Sequence, residues 1–199
     1  ELSGGLDYTN KRNDIDLRAR GFGQTIPLPS QSQHTRYPAL DLGITGYREF
    51  TTASINVRLN LRQGLDTFDA DVSPVAGTDL SFTRWKGNVD AGWMMAEKWR
   101  LSSSVEGVWS DATLPDPERV QFGAQRFGRG YHDGEASGDY GYGGQLELRY
   151  LHNRKESTWL ATVQPYVLAD TARTWYNASG FRQQRLSSVA AGGMGGDNK

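Results

Sequence analysis

Residues 55–62 alternate without a fault: Ile55, Val57, Leu59 and Leu61 fall on one side, Asn56, Arg58, Asn60 and Arg62 on the other. A period of two is that of a β-strand, here with one apolar and one strongly polar face. Leu146, Leu148 and Tyr150 alternate with Gln145, Glu147 and Arg149 in the same way. Between residues 99 and 109 one face carries Trp99, Leu101, Ser103, Val105 and Trp109, and the other Arg100, Ser102, Ser104 and Glu106. Between 85 and 95 the faces are Trp85, Val89, Ala91, Trp93 and Met95 against Lys86, Asn88 and Asp90. Further strands fit at about 40–47, 159–170 and 185–193, with one strand or a short hairpin before Arg20. Strong helix formers sustain no 3.6-residue period, so the pattern predicts an all-β chain of about eight strands.

The predicted connections are of two kinds. Short ones lie near 48–51, 96–98 and 153–157; long ones run through 21–35, 64–78, 111–138 and 174–184. They alternate along the chain. An up-and-down antiparallel sheet with its long loops at one end gives that order, and outer-membrane barrels have this asymmetry.

Composition narrows the class. The 199 residues include 24 Gly, six Trp, nine Tyr and seven Phe, yet the mean hydropathy is -0.63. A polar average over many aromatics and glycines fits both an outer-membrane barrel, polar inside and apolar outside, and a secreted β-sandwich. The 22 Lys+Arg and 23 Asp+Glu nearly cancel, which argues against nucleic acid as a partner. With no Cys, disulfide scaffolds and the usual structural zinc sites are excluded. No apolar run reaches the ~20 residues of a membrane-spanning helix. Both ends read as cut from something longer. Trp99 and Trp109 share parity ten residues apart. At ~3.3 Å per residue and a tilt of ~40°, that spacing covers roughly 25 Å of the barrel axis, the height of an apolar band between aromatic girdles. Trp85, Trp93, Trp99 and Trp109 are the expected girdle residues; the buried face of a sandwich is the competing assignment.

The long connection at 111–138 stands apart through its glycines at 128, 130, 134 and 138. It reads Phe127-Gly128-Arg129-Gly130-Tyr131, then Gly134-Glu135-Ala136-Ser137-Gly138-Asp139-Tyr140-Gly141, and leads into Leu146-Glu147-Leu148-Arg149-Tyr150. This run resembles the loop and following strand of the two-partner secretion transporters, the TpsB or haemolysin secretion/activation family. Pro165-Tyr166-Val167-Leu168-Ala169-Asp170 is similar to that family's Pro-Tyr-x-Phe-x-Asp strand, with Leu168 in place of Phe. Leu186–Gly192 is similar to the strand after it, and Leu61-Arg62-Gln63-Gly64-Leu65 to an earlier strand end.

The resemblance implies a transmembrane, antiparallel up-and-down β-barrel of about sixteen strands, within the even-numbered range. Residues 1–199 would form one partial barrel domain holding roughly the seventh to fourteenth strands, with the periplasmic POTRA domains outside it. It further implies a pore in the outer membrane of a Gram-negative bacterium, a monomeric barrel in lipid. That pore would export a large unfolded exoprotein with no nucleotide hydrolysis. The residues themselves offer no candidate nucleophile, metal or cofactor site, so neither enzymatic activity nor a cofactor is expected. A BamA-type barrel-assembly insertase shares the Arg-Gly-(Tyr/Phe) loop and the Asp strand. From a different class, a passive porin or a secreted binding sandwich competes with both.

The resemblance also supplies the expected site. The loop Phe127, Gly128, Arg129, Gly130, Tyr131, with Gly138 and Asp139, would fold into the lumen and pair Arg129 with Asp170. Parity supports part of this independently. If Trp159, Val163 and Val167 face lipid, then Gln164, Tyr166, Leu168 and Asp170 face the lumen, where a carboxylate can receive a guanidinium fork. Asp139 after Gly138 reads as a turn-former. Asp133 and Glu135 read as solvated loop charges. His34, His132 and His152 lie in three different connections without carboxylates at ligand spacing, so no metal site is expected. Gly141-x-Gly143 has no helix after it to make a nucleotide loop, and no Ser sits in a nucleophile elbow.

Overall fold

The computed structural model describes residues 1–15, 18–21, 24–27, 31–73, 77–124, 126–153 and 162–196. Eight long strands dominate: β1 (Leu2–Ile15), β2 (Gln31–Glu49), β3 (Ala53–Gly64), β4 (Thr83–Ala96), β5 (Trp99–Trp109), β6 (Tyr140–Tyr150), β7 (Thr162–Trp175) and β8 (Gln184–Gly196). Each is antiparallel to its sequence neighbour, so the sheet is an up-and-down meander, open between β1 and β8. Short pieces decorate it. Arg18–Gly21 pairs with Gln24–Pro27, Asp71–Ser73 extends along β2, and His152–Asn153 along β7. The turns at 50–52 and 97–98 are short, whereas 65–82, 110–139 and 176–183 are long. The long connections all leave the same end of the sheet, as the alternation of loop lengths predicts.

The strands run further than the sequence pattern marks. β2 begins at Gln31 rather than near 40, because β1 supplies a partner for every residue out to the Ile15–Gln31 pair. β7 continues past Asp170 to Trp175, paired with β6 on one side and β8 on the other. The expected turn near 153–157, apart from Asn153, and Trp159 lie outside the described residues.

Register aligns the apolar positions across the sheet. Leu61 stands opposite Leu42 and Trp85, Trp85 opposite Trp109, and Leu148 opposite Leu101 and Val167. The face they form is open: Leu59, Val105, Leu146 and Val167 are each more than half exposed. A sandwich would bury this face against a second sheet, and no such sheet exists among the described residues, so that assignment falls. The other face is polar and internally paired. Arg58 donates to Asn88 (2.9 Å) and Asp90 (2.8 Å), Ser104 to Asp90 (2.6 Å), and Arg149 to Glu147 (2.9 Å). Carrying Arg58 on the apolar side at mid-membrane would cost ~2–4 kcal/mol. In the full-length protein in bilayers, a spin label at position 57 is therefore expected to be reached by oxygen and one at 58 by a water-soluble relaxation agent. Equal access of both labels to the aqueous agent would overturn the assignment of faces.

Candidate functional site

The connection 110–139 lies on the polar face. Its stem is a small ladder, Val120–Phe122 against Ala136–Gly138. Val120, Phe122, Phe127 and Ala136 form one buried apolar cluster with Val108 of β5, Ala172 of β7 and Leu186 of β8. A second cluster joins Leu114 to Tyr37 and Ala39 of β2 and to Phe82. Apolar side chains on an otherwise polar face give the loop something to pack on.

Phe127 is the wedge. It is 2% exposed and meets Phe122 edge-on at 5.6 Å between ring centroids. Opposite it on β6 is Gly143, where an added Cβ would sit 2.8 Å from Phe127 Cγ. The missing side chain of Gly143 is the socket for the ring. Phe127 holds φ at 53° and Gly128 at 122°. Left-handed backbone at a bulky residue is strained and persists only where packing over-determines it. Gly128 is also pressed against Leu186, whose Cδ1 would lie 2.9 Å from an added Cβ.

Arg129 and Asp170 are brought together, but by a different contact from the one expected. The Arg129 backbone N–H, not its guanidinium, donates to Asp170 Oδ2 (3.3 Å), and Ser188 Oγ donates to Oδ1 (2.7 Å). The exposed guanidinium instead lies over the ring of Tyr166, 6.0 Å from its centroid, and among the described residues it joins no ion pair. The physical reason is reach: the amide already occupies the carboxylate's near side, so the long side chain passes beyond it. Gly130 runs along β8, its added Cβ 3.6 Å from Ser188 Cβ, and Tyr131 Oη donates to the Ser187 carbonyl (3.3 Å). Arg126 pairs with Glu106, which is 2% exposed on β5 and also receives Lys86 at 3.3 Å.

Asp139 is more than a turn-former. It is fully buried and accepts the amides of Leu114 (2.9 Å) and Asn177 (2.8 Å), with Arg119 Nε 3.5 Å away. The chemistry is the expected one, a carboxylate capping backbone N–H groups, yet it ties two separate connections together. Gly138 is buried beside it against the Trp175 backbone. Asp133 and Glu135 are exposed.

The four expected girdle residues fall into two groups on the apolar face. Trp85 and Trp109 are cross-strand neighbours at the long-loop end. Trp93 and Trp99 lie at the short-turn end, with Trp99 5.0 Å from Tyr150. Glu118, which sequence patterning does not single out, sits buried on the polar face between Arg62 and Arg84.

A single antiparallel meander with an open apolar face, an ion-paired polar face and a structured loop on the polar side defines a piece of an outer-membrane-type β-barrel. A family model described as haemolysin secretion/activation protein ShlB/FhaC/HecB matches residues 18–195, and the chain belongs to that family. Its fold is similar to that of CdiB from Escherichia coli, with a TM-score of 0.70 at 15% identity, covering 98% of this chain and 40% of that one. The chain thus spans well under half the length of CdiB. No curated protein gives a significant match.

Proposed function

We propose that the full-length protein is an outer-membrane pore through which a large secreted exoprotein passes unfolded, without nucleotide hydrolysis. The apolar face meets outer-membrane lipid of a Gram-negative bacterium, and the polar face lines the conduit of a monomeric barrel. Trp85 with Trp109 and Trp93 with Trp99 sit at the two interfaces. Membership of the secretion/activation family supports this reading over an insertase or a passive porin.

One observation carries it: the loop 110–139 is seated on the polar face by named contacts to the wall. A simple surface loop has no need of a strained Phe127 in a glycine socket or of a backbone amide aimed at an inward carboxylate. A loop lying along the conduit must shift for a polypeptide to pass, so its seating sets the resting state of the pore. Arg129 steadies the loop through Tyr166, and Asp170 through the amide.

The test is an export assay in cells carrying the full-length barrel and its exoprotein, with barrel levels measured in the membrane. Arg129→Ala keeps the amide contact and is expected to lower export severalfold at unchanged barrel level. Arg129→Lys should also lose export, because a compact ammonium cannot spread over the ring as a planar guanidinium does. Wild-type export from the Arg129→Ala barrel would overturn the role given to this side chain.

A further inference from the structure

We infer that Glu118 is the second anchor of the loop, a positioning residue that clamps its first arm to the side of the sheet opposite Asp170. Arg62 of β3 and Arg84 of β4 are direct cross-strand partners on the polar face. Two like charges so placed repel. Glu118 fills the gap. Its Oε1 lies 2.8 Å from Arg62 Nε and accepts from Tyr37 Oη at 2.6 Å; its Oε2 lies 2.6 Å from Arg84 Nη1. Arg84 also donates to the Glu118 carbonyl (3.2 Å). Glu118 is 4% exposed, and both of its carboxylate oxygens are occupied. Arg62 carries the network on to Asp41 of β2 and to Asp7 (3.0 Å) and Thr9 (3.2 Å) of β1. One loop residue thereby closes a charge network over four strands.

The local chain is built to deliver it. Glu118 ends a single 3-10 turn, Asp116–Glu118, flanked by Pro115 and containing Pro117, whose rings fix φ. Leu114, fully buried against Tyr37, Ala39 and Phe82, pins the arm four residues earlier. The dependence is mutual. Without Glu118, Arg62 keeps Asp41 and Asp7, but Arg84 loses its carboxylate partner and Tyr37 its acceptor, and leaving such buried groups uncompensated is strongly unfavourable. A Gln at 118 offers one acceptor oxygen and turns an NH2 group toward a cation. The loop is therefore held to β2–β4 through Leu114 and Glu118 and to β5–β8 through Arg126 and Phe127 to Tyr131, and the first set of ties can be loosened without the second.

The position of this anchor does not depend on the export reading; only its consequence for transport does. The chain has no Cys, so introduced pairs report without background from it. Lys11 and Asp116 form an exposed pair at 3.9 Å, and a short bismaleimide joining K11C and D116C in the full-length barrel reports the first arm. G130C with S188C, whose Cβ atoms would lie 3.6 Å apart, reports the second by disulfide formation. Glu118→Gln is expected to slow cross-linking at 11–116 by about tenfold or more while leaving the 130–188 yield unchanged. Tyr37→Phe, which removes the hydroxyl that donates to Glu118 and leaves both arginines in place, should give a smaller loss at 11–116 alone. Unchanged 11–116 cross-linking in Glu118→Gln would overturn the inference. So would an equal loss at both pairs, which would make Glu118 a general folding residue. If Glu118→Gln fails to accumulate in the membrane, Arg84→Gln removes one tie and carries the same comparison. Export is read in parallel: a freed first arm with unaltered export would leave the anchor standing and count against the loop's role in transport.

Discussion

Replacing Asp170 by Ala is expected to abolish export from a barrel that still reaches the membrane. The carboxylate is 6% exposed and holds two donors, the Arg129 amide and the Ser188 hydroxyl. Removing it strands both, at roughly 1–3 kcal/mol each. The sheet can absorb that, because β7 is hydrogen-bonded along its length to both β6 and β8. The loop tip cannot, since Phe127 is already strained and the amide contact lies two residues beyond it. Asp170→Asn keeps one acceptor oxygen and should fall between Ala and wild type. The order of effects separates the amide from the guanidinium: Asp170→Ala is expected to be more severe than Arg129→Ala. The reverse order, measured by export at matched barrel levels, would return the main role to the side chain.

Oxidising a G130C/S188C barrel is expected to stop export, and reduction to restore it. The Cβ separation of 3.6 Å lies within the range a disulfide accepts. A covalent bond here fixes the second arm to β8 without adding bulk to the conduit. The reduced form is its own control for the loss of Gly130 and of the Ser188 hydroxyl, and thiol trapping gives the oxidised fraction. Export at equal rates from oxidised and reduced barrels would mean that this arm need not leave the wall.

Sheet and faces are legible in the sequence because alternation is a local signal. Asn56, Arg58, Asn60 and Arg62 cannot share a side with Ile55, Val57, Leu59 and Leu61 on a pleated strand, whatever surrounds it. β1 is harder to mark. Its outward residues Leu2, Leu6 and Tyr8 are interrupted by Gly4, and glycine leaves no parity to read. In the site, the motif names Arg129 and Asp170, and the contact between them is made by the Arg129 amide; sequence spacing carries no information on whether an amide or a side chain arrives first. Glu118 is invisible for a different reason, since its partners lie 56 and 34 residues upstream. A signal exists all the same. Once β2, β3 and β4 are paired with their apolar faces in register, Asp41 answers Arg62, but Arg84 is left facing a like charge and calls for a carboxylate from elsewhere. Asp139 reads as a local cap because Asp after Gly usually is one; burial between two connections is a property of the tertiary fold.

The glycine socket has a consequence for how this protein can change over generations. The ring of Phe127 and the vacancy at Gly143 are two halves of one volume, carried by segments that are not adjacent in the chain. A methyl group gained at position 143 competes for the space the ring fills, and a smaller residue at 127 leaves a void in the buried cluster around it. Neither position is free to drift alone. Viable substitutions must come in matched pairs, bulk surrendered by the loop as it is acquired by the wall, so that the two sites are inherited as a unit.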